Sequence, residues 1–251
     1  MPFNAEDILK VAQHRPWPVP RRPWVMRQTW ENLLFAHWPV SPERMRKLVP
    51  AELELDTYEA TCWVAVTPFR LTGLRFRYAP PLPFGSDFPE LNVRTYVEHK
   101  SRPGVFFFSL DAGSMAAVMG ARATYHLPYF FADMSIAEES GWFSYSSKRH
   151  DDASVCFRGR YRPIGEPDTH HHQPGTHEHW LTERYCLYSL SEGKLYRGDI
   201  HHVPWPLQSA ECVIEENTMA AAAGIELPDV PPLLHFAREL DVLIWLAEEI
   251  A

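Results

Sequence analysis

One stretch of the sequence places four side chains with useful chemistry at alternate positions. Glu90, Asn92, Arg94 and Tyr96 occur in the segment PELNVRTYV, residues 89–97. If this segment is a β-strand, the four side chains share one face, because successive strand residues point to opposite sides. A guanidinium and an amide in one row can bind a carboxylate or orient a carbonyl, and a carboxyl can transfer a proton. The alternative interpretation is a solvent-facing strand whose charges form a cross-strand ion pair.

A second stretch joins a run of small residues to an aromatic segment. Ser114–Ala123 is predicted to form a helix that carries Arg122 near its end, and Pro128 and Tyr129 open a strand after it.

Histidines crowd one segment that contains proline and glycine. His170, His171 and His172 are followed by His177-Glu178-His179. Imidazole and carboxylate groups suit zinc, nickel or copper. The spacing matches no closed structural zinc site, and adjacent histidines in a loop do not converge on one ion without outside scaffolding. We therefore predict a solvated polar loop and no metal site.

The elements that must position these side chains are predicted to be mostly strands. Segments rich in β-branched and aromatic residues recur about every ten residues, a spacing typical of a barrel or sandwich. Residues 91–99 and 105–110 flank a Lys-Ser-Arg-Pro-Gly turn and are predicted to form a hairpin. A short helix is expected after Ser41, which is a typical helix-capping residue. The helix over Ser114–Ala123 is the second one expected. The segment 232–250 fits a helix and a strand equally well.

The first 24 residues stand apart from the rest of the chain. They include RPWPVPRRPW, whose prolines remove backbone donors and force extended geometry. We expect residues 1–24 to form an arm laid over the body through Trp17 and Trp24. No linker divides the remainder, so residues 25–251 are predicted to form one β-rich domain.

Composition and motif searches exclude several classes of protein. The 251 residues are 45% hydrophobic and 22% charged, as in ordinary globular proteins. A net charge of −8 argues against a nucleic-acid partner. No apolar run is long enough for a membrane-spanning helix, so no membrane span is predicted. The missing leader pattern and four cysteines without a CxxC motif favour a cytoplasmic location with reduced thiols. Neither GxGxxG nor GxxxxGK[ST] occurs, so no cofactor is predicted, and a homo-oligomer stays open.

Several segments together resemble the YqjF-like family of uncharacterised bacterial proteins, from about Trp24 to the end of the chain. The phrases PELNVRTYV, FFSLDA and LTERYCLY carry this resemblance. That family is similar to the acetoacetate decarboxylase superfamily. The resemblance implies a mainly β (α+β) fold, a single antiparallel β-barrel or cone around an apolar cavity with a few peripheral helices. It also favours a C-terminal strand pair over a helix for Leu234–Trp245.

The active-site motif of those decarboxylases, Gly-Arg-Glu and then Pro-Lys-Lys after four residues, has a counterpart here. The same spacing gives Ala-Arg122-Ala, four residues, and Pro-Tyr129-Phe130. Tyrosine thus stands at the Schiff-base lysine position, and phenylalanine replaces the lysine that lowers its pKa. The resemblance places Glu90 at the glutamate that assists decarboxylation. A phenol and a benzyl ring cannot form an imine, so acetoacetate decarboxylase activity is not expected.

Three functions remain open at this point. The first is a protein that binds a small organic acid or carbonyl compound, with Asn92, Arg94 and Arg122 as the binding residues. The second is a lysine-independent acid–base enzyme of lyase, hydratase or isomerase type that acts next to a carbonyl. There Glu90 would be the acid or base, Tyr129 the hydrogen-bond donor to an enolate or oxyanion, and Arg122 an electrostatic clamp. The third is a structural or interaction protein.

Overall fold

A computed structural model describes residues 4–80, 85–168 and 173–250. Within these ranges it contains thirteen strands in one sheet, with short helices between them. None of the helices there is both long and apolar enough to cross a membrane. The helices are α1 (Ala5–Lys10), α2 (Pro42–Arg46), α3 (Met115–Tyr125) and α4 (His177–Thr182). The strands are β1 (Met26–Val40), β2 (Glu54–Leu55), β3 (Cys62–Phe76), β4 (Phe88–His99), β5 (Arg102–Ala112), β6 (Tyr129–Glu139), β7 (Trp142–Arg149), β8 (Cys156–Ile164), β9 (Cys186–Ser191), β10 (Lys194–His201), β11 (Leu207–Asn217), β12 (Leu233–Ile244) and β13 (Glu248–Glu249).

Two predicted helices are present, and each begins directly after a serine. The Ser41 side chain accepts a hydrogen bond from the backbone N–H of Arg44, and Ser114 does the same for Ala117. Each serine thereby satisfies one of the unpaired N–H groups at a helix start. Helix α3 ends where His126 adopts a left-handed conformation, with φ of 53°.

The sheet order is β13-β10-β9-β5-β6-β7-β8-β11-β12-β1-β3-β4-β2, with further pairings of β4 with β5 and of β10 with β12. Most neighbours are antiparallel, but β5 pairs in parallel with both β6 and β9. The predicted antiparallel arrangement therefore holds for most neighbouring strands but not for these two pairs. The reason at β6 is its connection to β5 through helix α3, because a crossover returns the chain in the same direction.

The predicted hairpin is formed by β4 and β5. Its turn holds Lys100 and Ser101 at φ of 50° and 58°, the left-handed values that a tight two-residue hairpin turn requires. The register shifts between Val93 and Arg94, which is a β-bulge.

The C-terminal segment is a strand, as the resemblance implied. Residues Leu233–Ile244 form one continuous strand, β12, and not the strand pair that was expected. It is antiparallel to β1 from Met26 opposite Ile244 to His37 opposite Leu233. A long partner strand favours extended backbone over a helix, although the apolar spacing alone allows both.

Both faces of the β4 region are covered by apolar side chains. Leu91 and Val93 belong to one hydrophobic cluster, together with Phe143 and Phe236. A second cluster, which includes Phe69, Leu110, Tyr129 and Trp205, covers the opposite face. The side chains of Glu90 and Asn92 alternate with Leu91 and Val93, so they point toward this second cluster.

Residues between 8 and 24 contact β10 and the end of β12. Ile8 is buried with Leu243 and Trp245, and Trp24 packs against this group. Arg15 donates a hydrogen bond to the backbone carbonyl of Ile200 at 2.7 Å.

Candidate functional site

All four members of the predicted row on β4 are buried, and all but Tyr96 line one pocket. Glu90, Asn92 and Arg94 are only 4%, 5% and 8% exposed, respectively. Neighbouring strands flank each of them, since Asn92 lies between Thr67 of β3 and Leu110 of β5. The interpretation of this face as solvent-exposed is therefore wrong, because the second cluster covers it.

A pocket of about 310 Å³ lies over this row. Its walls come from β1, β3, β4, β5, α3 and the β10–β11 region, and most of the lining side chains are apolar. The apolar walls include Met26, Trp30, Leu33, Phe69, Leu71, Leu74, Phe76, Phe88, Phe107, Leu110, Leu127, Leu187, Trp205 and Ile244. An apolar pocket of this size with few polar groups is typical of small-molecule sites.

Small residues of helix α3 line one side of the pocket. Ala116, Gly120 and Thr124 lie four residues apart, on one helix face, and are exposed to solvent. Phe76, which is 50% exposed, also lines the pocket. The pocket therefore reaches the surface between α3 and the end of β3.

Glu90 and Tyr129 form a hydrogen-bonded pair in the wall of the pocket. The Tyr129 hydroxyl donates to Glu90 Oε2 at 3.0 Å. Burial raises the pKa of Glu90 to about 8, although the hydrogen bond from Tyr129 opposes this rise. Burial also raises the pKa of Tyr129, and the nearby Glu90 raises it further. Near neutral pH the pair is thus mainly an uncharged carboxylic acid beside an uncharged phenol.

The backbone that carries Glu90 is held from the other face of the sheet. Tyr145 of β7 donates hydrogen bonds to the backbone carbonyls of Glu90 at 2.7 Å and Phe69 at 3.2 Å. This ties β3 and β4 together at the level of the acid, which limits its freedom to move.

Arg94 is a buried cation without a carboxylate partner among the described residues. Its guanidinium lies 5.2 Å from the centre of the Phe35 ring, and its Nε has no hydrogen-bond partner in the described part of the chain. Asn92 Oδ1 and Thr67 Oγ1 likewise lack partners there. Buried polar groups are normally hydrogen-bonded, so three such atoms along one pocket wall indicate a place for a polar ligand group.

Arg184 also lines the pocket, but its charge is already neutralised. It forms an ion pair with Asp56 and donates from Nε to the Trp180 carbonyl at 2.7 Å. His202 beside it contacts backbone carbonyls through both ring nitrogens. Of the two arginines in the pocket, Arg94 is the one that retains its charge for a ligand.

Arg122 lies away from the row. Its guanidinium donates to the backbone carbonyl of Tyr129, from Nε at 2.7 Å and from Nη2, and it is absent from the pocket lining. This geometry therefore does not support the expected role of Arg122 as a clamp on substrate. Arg122 is an exposed residue of α3, and its hydrogen bonds hold the backbone of Tyr129, the first residue of β6.

Sequence reasoning missed Thr67 and His202 as pocket residues. Thr67 is the one hydroxyl in the apolar run VAVTPF of β3, and an isolated polar residue in a buried strand was an available signal. His202 is adjacent to His201, and sequence alone does not decide which of the two faces the pocket.

Part of the histidine-rich segment, residues 169–172, lies outside the described residues. For residues 177–179 the predicted solvated loop is wrong, because they lie in helix α4 and are half-buried. His177 begins this helix and stacks on Tyr58 with ring centres 4.2 Å apart. In the portions of the chain that are described, no group of three or more histidine, cysteine or acidic side chains could hold a metal ion.

The sheet and its helices define an acetoacetate decarboxylase-like fold. The structure matches the enduracididine biosynthesis enzyme MppR complexed with pyruvate with a TM-score of 0.62 and 12% identity, over 94% of this chain and 93% of that one. It matches acetoacetate decarboxylase from Legionella pneumophila with a TM-score of 0.61 and 14% identity, over 96% and 95% of the two chains. Likenesses at these identities show the fold alone.

The chain belongs to the DUF2071 family, described as an uncharacterized conserved protein, whose model matches residues 27–241. It is also 52% identical to the uncharacterized protein YqjF of Bacillus subtilis strain 168 over 227 residues. That match covers 90% of this chain and 93% of the relative. The predicted resemblance to the YqjF-like family and to acetoacetate decarboxylase-like proteins is thereby confirmed.

Proposed function

We propose that this protein binds a small organic acid or carbonyl compound in the pocket over β4, without a covalent bond to it. The observation that carries the proposal is Arg94, a buried guanidinium in an apolar pocket with no carboxylate of the described residues paired to it. A ligand carboxylate would neutralise this charge through charge-assisted hydrogen bonds. Asn92 lies next in the row and offers an amide to the same ligand.

A carbonyl oxygen of the ligand fits the Glu90–Tyr129 pair. A protonated Glu90 can donate a hydrogen bond, and Tyr129 holds its other oxygen at 3.0 Å. The structural neighbour MppR is described in complex with pyruvate, which combines a carboxylate and a carbonyl in one molecule. This neighbour supports 2-oxo acids as the first ligands to test.

We also propose that the sheet closes into a cone around the pocket. The pairing of β4 with β5 supports this, because the order β5-β6-β7-β8-β11-β12-β1-β3-β4 then returns to β5. Closure of this kind would explain how strands distant in sequence come to line one pocket.

Imine chemistry is not part of the proposal. Tyr129 stands at the position that corresponds to the Schiff-base lysine, and none of the five lysines lines the pocket. Without an amine nucleophile in the pocket, the ligand is held by hydrogen bonds, charge and apolar contact.

A second candidate function is acid–base catalysis next to a carbonyl. Its specific support is the pKa of Glu90, raised to about 8 by burial, because a general acid or base works best with a pKa near the working pH. Glu90 would remove or deliver a proton at the carbon beside the carbonyl, and Tyr129 would stabilise the enolate oxygen. Deuterium exchange at that carbon of a bound 2-oxo acid, followed by NMR, tests this reaction. Exchange should stop in Glu90→Gln.

The binding proposal is tested by titration calorimetry with a panel of 2-oxo acids and simple carboxylates. We expect Arg94→Met to weaken binding about tenfold or more, as for a lost hydrogen bond to a charged group. The matched control is Arg158→Met, at an exposed arginine that pairs with Glu215 on the surface. Absence of binding by the unmodified protein, or equal binding by Arg94→Met, would contradict the proposal.

A further inference from the structure

We propose that the ligand is a carboxylic acid with a bulky apolar body, such as an aromatic or branched-chain 2-oxo acid, and not an acid of three or four carbons. This inference rests on the proposed function and specifies the ligand class of the same pocket. It follows from where the polar groups lie and from how much apolar wall remains beyond them.

The polar groups occupy only one part of the pocket. Along β4 the order is Phe88, Glu90, Asn92 and Arg94, and Phe88 lies opposite Leu71 of β3. The three polar side chains therefore take up the deep part of this strand. From Phe88 outward the wall is mostly apolar. The polar residues there are Gln28, whose amide oxygen accepts a hydrogen bond from Trp30 Nε1 at 2.9 Å, and Thr124 of α3.

The outer part of the pocket is built from large apolar side chains. Beyond Phe88 the lining continues through Leu71 and Leu74 to Phe76 at the surface, with Met26 and Ile244 beside them. A three-carbon acid held at Arg94 and Glu90 would leave these walls without a partner. A ligand with an apolar body beyond its carbonyl would cover them and exclude water from them.

Helix α3 leaves room for such a body. Its pocket-facing positions carry small side chains, and a Cβ built at Gly120 would meet no atom within 4 Å. The half-buried Ala117 and Ala121 line the pocket and also pack against the second cluster. The pocket volume of about 310 Å³ falls in the range of sites for ligands much larger than pyruvate.

The ligand series that tests this is pyruvate, 4-methyl-2-oxopentanoate and phenylpyruvate, each titrated by calorimetry into the full chain. Burial of one methylene changes affinity by about fourfold, so the Kd should fall at least tenfold from the first acid to the last. A matched pair, 3-phenylpropanoate and 3-phenylpropanol, measures the carboxylate separately from the apolar body. We expect the acid of this pair to bind more tightly.

Substitutions in α3 test the location of the apolar body. Ala117→Leu and Ala121→Leu each add bulk to the wall, and we expect them to weaken phenylpyruvate binding about tenfold while changing pyruvate binding less than threefold. Ala123→Leu is the matched control, because Ala123 is exposed on the same helix and does not line the pocket. Thermal unfolding of each variant shows whether it is folded.

The outcomes separate the two proposals. Equal or tighter binding of pyruvate than of phenylpyruvate would overturn the bulky ligand and leave the binding function intact. Loss of both acids alike in Ala117→Leu and Ala121→Leu, with folding retained, would also count against the bulky ligand. If 3-phenylpropanol binds and no acid does, the carboxylate assignment is wrong, and both proposals fail in their present form.

Discussion

Two buried carboxyl groups lie on neighbouring strands and have very different surroundings. Asp111 on β5 is fully buried, and Arg149 donates to it from Nε at 2.9 Å, with Nη2 at the same distance. Glu90 on β4 is hydrogen-bonded by a neutral phenol and faces the pocket. Burial raises the pKa of both groups, to about 6 for Asp111 and about 8 for Glu90, and Arg149 opposes the rise at Asp111.

The difference shows that burial of an acid does not by itself indicate a ligand site. Asp111 is neutralised within the protein, and its arginine lies 3.8 Å from the centre of the Phe130 ring, so this pair joins β5, β6 and β7. Glu90 has no ion-pair partner among the described residues, and it lines the pocket. We therefore assign a structural role to the Asp111–Arg149 pair, whereas Glu90 and Tyr129 line the pocket and belong to the proposed function.

The largest expected effect comes from breaking the structural pair. Arg149→Met leaves Asp111 buried without its counter-charge, which should lower the free energy of unfolding by about 3–5 kcal/mol. Urea unfolding near neutral pH measures this. The control Arg158→Met removes an exposed ion pair and should cost less than about 1 kcal/mol. Similar losses in the two variants would show that Asp111 and Arg149 are not a buried structural pair.

Glu90→Gln should change how stability depends on pH. The folded pKa of about 8 lies above the ordinary value of 4.5, so between these values the folded state holds a proton that the unfolded state has lost. Stability of the unmodified protein should therefore fall as pH rises through this window, by up to about 4 kcal/mol from about pH 5 to pH 8.

Glutamine cannot ionise, so Glu90→Gln should gain stability relative to the unmodified protein as the pH rises. The measurement is the difference in unfolding free energy at several pH values, in which contributions from Asp111 and other shared groups cancel. A difference that stays constant with pH would show that Glu90 titrates normally.

Removal of the phenol should have a smaller effect. Tyr129→Phe deletes one buried hydrogen bond, worth about 0.5–1.5 kcal/mol. Because that bond lowers the pKa of Glu90, the pH at which stability levels off should move upward in the variant. Urea unfolding of Tyr129→Phe across the same pH range measures both changes. An unchanged pH profile would mean that the two side chains are not coupled.

The sequence was sufficient for the β4–β5 hairpin, for two helices and for the pattern on β4. Strand alternation correctly placed Glu90, Asn92 and Arg94 on one face. The capping residue Ser41 located one helix, and a run of small residues located the helix after Ser114. Alternation does not show whether other elements bury a face of the strand. The face of β4 that carries Glu90 is buried by side chains of α3, β1 and the β10–β11 region, which are separate segments of the sequence. The burial of the row could therefore not be predicted from its own residues.

Other features also depended on distant partners. The apolar spacing of residues 233–244 allows both a helix and a strand, and pairing with β1 selects the strand. The residues around Arg122 do not show where its side chain points. Its hydrogen bond to the Tyr129 carbonyl, seven residues later, forms only when β6 packs beside α3. In each case the residue types were informative, and the long-range contact decided the outcome.

A substitution at Arg122 tests whether this side chain belongs to the scaffold or to the pocket, and its expected effect on ligand binding is small. Arg122→Met removes hydrogen bonds to the Tyr129 carbonyl on the exposed side of α3, so we expect a stability loss of about 1 kcal/mol. Its Kd for phenylpyruvate should stay within about threefold of the unmodified value, since Arg122 does not line the pocket, whereas Arg94→Met should change it about tenfold or more. Urea unfolding and calorimetry on the two variants make the comparison. If both variants lose affinity for phenylpyruvate equally, Arg122 must contact the bound carboxylate. Arg122 would then be a pocket residue and not a scaffold residue.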